Sequence, residues 1–145
     1  MESPDIVIIG DLLNVTDGII CHQVNCRRVA GTGLALQIRN RWPEWHDVFR
    51  ANRPHLGDIH YWRADTNLII ASLYSQYDYG RSQRRTNYAA LGSCMMMLRN
   101  FDNMDNKHIC FPYFYGCGLG GGDWEIVRQI ITDALPDAVF IKRGE

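Results

Sequence analysis

Short β-branched runs alternate with stretches of helical period along the whole chain, and that alternation confines it to an α/β arrangement. Residues 5–9 form a short apolar run stopped by Gly10, and residues 18–24 form a second. From Gly31 the period changes. Leu34, Ile38 and Trp42 fall four apart, as on one helix face, and Pro43 closes that helix. Residues 44–50 add a further helical turn or two. Residues 60–62 follow a Gly-Asp turn and read as a strand. Residues 67–74 read as a buried strand, and a polar loop over 76–85 follows it. Tyr88, Leu91, Met95 and Leu98 mark an amphipathic helix over 86–101, with Met95, Met96 and Met97 serving core and flank packing. Residues 108–111 form another strand, closed by Pro112. Asp123 is placed to cap a helix whose buried stripe is Ile126, Val127, Ile130, Ile131 and Ala134. A last strand covers 138–141. The sum is about six strands and three or four helices, sheet inside and helices outside.

The 145 residues suit one domain over 1–145. The formal net charge of −1 argues against a broad electrostatic grip on nucleic acid, and Arg27-Arg28 and Arg84-Arg85 are the basic pairs of note. Five cysteines, an odd number without a signal peptide, predict reduced thiols, and the absence of a C-x-x-C pair predicts no metal site. The start of the chain has no basic n-region, and no apolar run approaches the roughly 18 residues that span a bilayer. The expectation is a soluble, cytoplasmic protein without a membrane partner or a cofactor, and a monomer, because no exposed apolar stripe stands out in the sequence.

Two glycine-rich segments each precede a predicted helix: Gly31-Thr32-Gly33 before Leu34, and residues 116–122 before Trp124. Glycine lets backbone approach a ligand closely, and a helix N-terminus offers unpaired N–H groups and a positive dipole end. Two such loops facing each other suit a diphosphate. No Walker lysine follows the second loop and no G-x-G-x-x-G follows the first strand, which disfavours ATP hydrolysis and dinucleotide redox chemistry. Three polar residues stand at strand ends. Asp11 could accept from an adenine amino group or cap a turn. Asn25 could pair with ribose hydroxyls. Gln76 opens the polar loop, at the strand end where α/β sheets place ligands.

In order along the chain, Gly10-Asp11-Leu12-Leu13, then 21–26 as C-H-Q-V-N-C, Gly31-Thr32-Gly33-Leu34-Ala35, Pro43, residues 73–76, Pro112, Gly116–Gly118 and Gly120-Gly121-Gly122-Asp123-Trp124 resemble the macrodomain family. The resemblance is closest to a branch that hydrolyses ADP-ribose-1″-phosphate to ADP-ribose and phosphate, which includes phage-encoded examples. It implies a three-layer α/β/α fold with a mixed central sheet of about six strands. The implied ligand is ADP-ribose or ADP-ribose-1″-phosphate. Asp11 would contact adenine, with Gly10 and Leu12 in the same binding set, and Asn25 would bind the distal ribose. Gly31, Thr32 and Gly33 would line the distal ribose and diphosphate. Gly116, Cys117, Gly118, Leu119 and Gly120 would wrap the phosphates. Gln76 completes the binding set. The aromatic platform for adenine is not located; Phe140 and the loop tyrosines are the candidates. A related branch removes ADP-ribose from glutamate side chains or DNA bases. Its glutamate-directed enzymes use a lysine and an aspartate at the positions held here by Gln76 and Gly120.

Hydrolysis of a phosphomonoester needs a placed nucleophile, an acid and neutralised charge. The catalytic candidates are His22, Asn25 and Asp123. Alternation along the second strand sends His22 and Val24 one way and Gln23 and Asn25 the other, which sets His22 against Asn25 as a cleft residue. Asp123 could activate water or simply cap its helix. Cys117 lacks the Cys-x5-Arg context of a thiol phosphatase. Tyr77 and Tyr79 stand ready to close over the distal ribose or to remain surface aromatics. The leading reading is thus an ADP-ribose-1″-phosphate phosphatase. The alternatives are a hydrolase that removes ADP-ribose from protein or nucleic acid, nucleic acid entering only as such a modified substrate, and a non-catalytic ADP-ribose-binding module.

Overall fold

The computed structural model describes residues 4–80, 83–101 and 108–144. Six strands form one sheet: β1 (Ile6–Ile9), β2 (Gly18–Asn25), β3 (Ile59–Arg63), β4 (Leu68–Gln76), β5 (Ile109–Pro112) and β6 (Val139–Lys142). Their order is β1-β6-β5-β2-β4-β3, all neighbours parallel except β3 against β4. Helices α1 (Gly33–Arg41) and α2 (Pro43–Ala51) cover one face, and α3 (Tyr88–Arg99) and α4 (Trp124–Ala134) cover the other. The fold is therefore the three-layer α/β/α arrangement with a mixed six-stranded sheet.

The two central strands explain the layering. In β2 and β4 almost every residue is buried, so both faces need helices on them. On one face Ile19, Cys21, Ala71 and Leu73 pack against Leu91, Met95, Val127 and Ile131. On the other, Ile20, Val24, Ile70 and Tyr74 pack against Ile38, Trp45 and Phe49.

Two boundaries differ from the sequence expectation, each for a local reason. Pro43 opens α2 as well as closing α1, since its fixed φ and missing N–H suit a first helical turn. Helix α3 starts at Tyr88, because the Asn87 side chain caps it by accepting from the Ala90 N–H. Thr86, expected inside that helix, instead bridges to Gln76 and is buried. Of the three methionines only Met95 is core; Met96 and Met97 face outward.

Candidate functional site

A cleft of about 610 Å³ opens where β2, β4 and β5 end, between the loop before α1 and the glycine loop before α4. Its floor is a chain of side-chain hydrogen bonds anchored on Gln23. The Gln23 amide nitrogen donates to Gln76 Oε1 at 2.7 Å and to Thr86 Oγ1 at 2.9 Å. Its oxygen accepts from Ser75 Oγ at 2.7 Å, and that hydroxyl also meets Tyr115 OH at 2.7 Å. Thr86 Oγ1 donates to the Gly116 carbonyl at 2.6 Å. The network ties β2, β4 and the start of α3 to the second glycine loop, fixing the loop's height above the sheet. At the end of β2 the register shifts between Gln23 and Asn25. Asn25 then closes the following turn, donating to the Val29 carbonyl at 2.9 Å and accepting from the Val29 N–H at 3.0 Å.

The walls carry backbone donors. Thr32 stands at the N-cap of α1, but its hydroxyl makes no capping bond. The first bond back to that cap comes from the Leu36 N–H, so the N–H groups of Gly33, Leu34 and Ala35 have no helical partner. In the second loop the Cys117, Gly121 and Gly122 N–H groups are spent on Phe114, Gly118 and Gly116 carbonyls. Those of Gly118, Leu119 and Gly120 make no such backbone bond among the described residues. Leu119 reaches across toward the first loop, where a Cβ on Gly33 would meet its Cδ1 at 3.3 Å. Among the described lining residues there is no Asp, Glu, Lys, Arg or His. The tyrosine hydroxyls are the titratable groups, and burial raises the Tyr115 phenol well above its ordinary range.

Of the residues expected from sequence, Asn25, Gly31, Thr32, Gly33, Gln76, Gly116, Gly118, Leu119 and Gly120 come together around this cleft, and Tyr79 joins them. Others do not. His22 is fully buried on the α1–α2 face, its Nε2 2.8 Å from Ser72 Oγ and its ring edge-on to Trp45. Burial lowers its pKa to about 3, so it stays neutral. This corrects its assignment as a catalytic candidate: strand alternation points it under the sheet, away from Asn25. Asp123 is exposed and lies outside the cleft lining, accepting from the Glu125 N–H at 2.9 Å as the cap of α4. Cys117 turns its sulfur to the Tyr115 carbonyl, and burial pushes its thiol up to about 11. Gly10 and Asp11 border a separate groove beside β1 and β6. Asp11 accepts from the Leu13 N–H at 2.9 Å, and Leu12 is buried in the core. Phe140 is fully buried and offers no platform, whereas Phe114 is half-exposed on the cleft wall.

Gln23, Ser75, Thr86 and Tyr115 were missed by sequence reasoning. The alternation that aligned Gln23 with Asn25 was a usable signal for the first. Thr86 carried none, because it sits inside a segment of helical period.

No family model matches the chain. It is 28% identical to an uncharacterized 17.5 kDa protein from the tk-vs intergenic region of Enterobacteria phage T4, over 77% of this chain and 76% of that protein. It is 27% identical to a DNA ADP-ribosyl glycohydrolase of Mycobacterium tuberculosis over 88% of this chain, but spans only 38% of that protein's length. Among solved structures, the macrodomain of Mycobacterium tuberculosis DarG superimposes with a TM-score of 0.76 at 22% identity, covering 98% of this chain and 99% of that one. Thermosipho africanus DarTG in complex with ADP-ribose gives a TM-score of 0.75 at 19% identity, over 98% of this chain and 42% of that one. The chain thus has the macrodomain fold.

Proposed function

We propose that the cleft holds ADP-ribose, with the diphosphate between the two glycine loops and the distal ribose toward Asn25 and Gln76. The observation that carries this reading is the pair of facing donor sets, Gly33 to Ala35 on one wall and Gly118 to Gly120 on the other, with no carboxylate between them. A helix dipole and unpaired N–H groups suit an anion. The Thermosipho africanus relative of the same fold is known with ADP-ribose bound. Gly10, Asp11 and Leu12 remain the proposed adenine end.

The finer reading concerns what is done to the ligand. The sequence resemblance favours release of the terminal phosphate from ADP-ribose-1″-phosphate. Likeness to a DNA ADP-ribosyl glycohydrolase favours cleavage of a nucleic-acid adduct instead. Both reactions draw on a positioned acid or base. The cleft offers Tyr79 and amides, and a Cβ at Gly120 would already lie 2.6 Å from the Gln23 amide nitrogen, so no carboxylate fits there. Holding ADP-ribose is therefore the primary function that the geometry supports, and phosphate release is expected to be slow. Calorimetry with ADP-ribose tests the binding. Product analysis after incubation with ADP-ribose-1″-phosphate, ADP-ribosylated DNA and ADP-ribosylated protein tests the chemistry. Rapid turnover of any of the three would overturn the assignment to holding; absence of ADP-ribose binding would overturn the site itself.

A further inference from the structure

The ligand path set out above runs between two cavities. The diphosphate cleft includes Pro112 and Phe114, where β5 ends. The groove beside β1 includes Gly10, Asp11 and Ile141. Strand β6 lies between β5 and β1 in the sheet. Neighbouring strands stand about 4.8 Å apart, so the two cavities meet across about 10 Å. The sugar that joins adenine to the diphosphate therefore crosses the end of β6, where Lys142 and Arg143 are exposed. Each cation has a fixed side. Lys142 Nζ lies 4.8 Å from the Tyr113 ring centre and 5.9 Å from that of Phe114 on the cleft wall. Among the described residues no carboxylate pairs with it. An ammonium resting on ring faces keeps N–H donors for a further partner. Phe114 itself holds φ +64°, a strained conformation for a bulky residue and of a kind that collects at ligand sites. On the other side Arg143 donates to Gln37 Oε1 of α1 at 2.7 Å and lies 4.0 Å from Asp11 Oδ2. It offsets the Asp11 carboxylate, which would repel an anion, and leaves the Lys142 charge uncompensated.

We propose that the protein selects ADP-ribose carrying a phosphate monoester on its adenosine ribose, with Lys142 as the principal contact and Arg143 as the second. This rests on the ADP-ribose reading of the cleft and extends it. Plain ADP-ribose offers only neutral hydroxyls at this point, which leaves the Lys142 charge unused. A monoester there brings nearly two negative charges near neutral pH and three acceptor oxygens. Charge-assisted bonds to such a group are about twice as strong as neutral ones. In dinucleotide-binding folds an arginine beside the adenosine ribose accommodates a phosphate in the same way.

Calorimetry on the full chain with ADP-ribose, 2′-phospho-ADP-ribose and 3′-phospho-ADP-ribose tests the selection. The quantity read is the affinity of each phosphorylated probe relative to ADP-ribose. At low salt at least one of the two is expected to bind the parent at least about 10-fold tighter. That advantage is expected to shrink as salt rises, while the affinity for ADP-ribose itself holds. Lys142→Gln is expected to bring the ratio to within about 2-fold of unity, Lys142→Arg to keep it and Arg143→Gln to reduce it. Both side chains are exposed, so the variants are expected to fold. ADP-ribose binding with no gain from either phosphate, or a gain untouched in Lys142→Gln, overturns this proposal and leaves the reading of the cleft standing. Failure of all three probes to bind overturns both.

Discussion

Gly118 and Gly120 stand two residues apart in one loop, yet a methyl group meets opposite surroundings at each. Nothing lies within 4 Å of a Cβ at Gly118. At Gly120 the Cβ collides with Thr86 Oγ1, with the Gln23 amide nitrogen at 2.6 Å and with the Gly116 carbonyl at 2.7 Å. Gly120→Ala must therefore push the loop off its floor. It is expected to cost about 1–3 kcal/mol of stability and to weaken ADP-ribose binding at least about 10-fold, whereas Gly118→Ala keeps the parent's melting temperature. Melting and calorimetry on the pair check this. His22 makes a second residue-level case. Its folded pKa, about 3, lies below the unfolded value of about 6.5, so the unfolded chain binds the extra proton between them. Its contribution is fully present above about pH 6.5 and is lost as pH falls toward about 3. Stability against urea should fall on acidification, and His22→Leu should remove up to about 1.4 kcal/mol per pH unit from that slope. Ligand affinity unchanged in His22→Leu would agree with its place under the sheet; a large loss would restore it to the site.

At the scale of elements, α1 keeps its N-terminus uncapped. Thr32 is extended, with φ −146° and ψ 166°, the geometry of an N-cap, but its hydroxyl caps nothing. The other helices flanking the cleft are treated differently: Asn87 caps α3 and Asp123 caps α4 through their side chains. Leaving α1 open keeps its donors for a ligand at the cost of a cap worth about 1 kcal/mol. Thr32→Asp should reverse the exchange. The carboxylate satisfies the helix donors and raises the melting temperature, while it repels a diphosphate and weakens ADP-ribose binding by at least about 10-fold. A variant that gains stability and keeps full affinity would show that the α1 terminus does not face the phosphates.

Across the whole molecule, no charged side chain among the described residues lines the cleft. The formal net charge is −1; among the described residues Arg27 packs against Tyr77 and Asp78, Arg84 lies over the Tyr88 ring, and Arg85 lies beside Gly80 at the cleft rim. Binding that rests on neutral N–H groups has little to titrate and few fixed ions to screen. The ADP-ribose dissociation constant is expected to change less than about 3-fold between about pH 6 and 9, and equally little between low and moderate salt. Titrations across both ranges check it, and a steep salt slope would point to arginine contacts instead. No helix of the described residues is long and apolar enough to cross a membrane.

The sequence by itself determined the layering, the strand and helix order, and both glycine loops. Those features are local: a run such as L-I-I-A-S-L-Y or a spacing of three and four declares its period within a few residues. It also placed Gln76 and Asn25 at strand ends, where the sheet brings them together as neighbours. Only the tertiary structure decided which polar residues share the cleft. Thr86 reads as helix by period, but its hydroxyl lies under Gly116 because Asn87 caps α3 one residue later. His22 and Asn25 lie three residues apart on one strand; the pleat and the helices packed on each face sent one to the core and one to the ligand side. The exposed edge of β1 was equally hidden, since Ile-Val-Ile-Ile reads as buried core until the strand order leaves it without a second neighbour. Pairing between segments more than 100 residues apart, as of β1 with β6, depends on the whole chain's packing, and no local period encodes it.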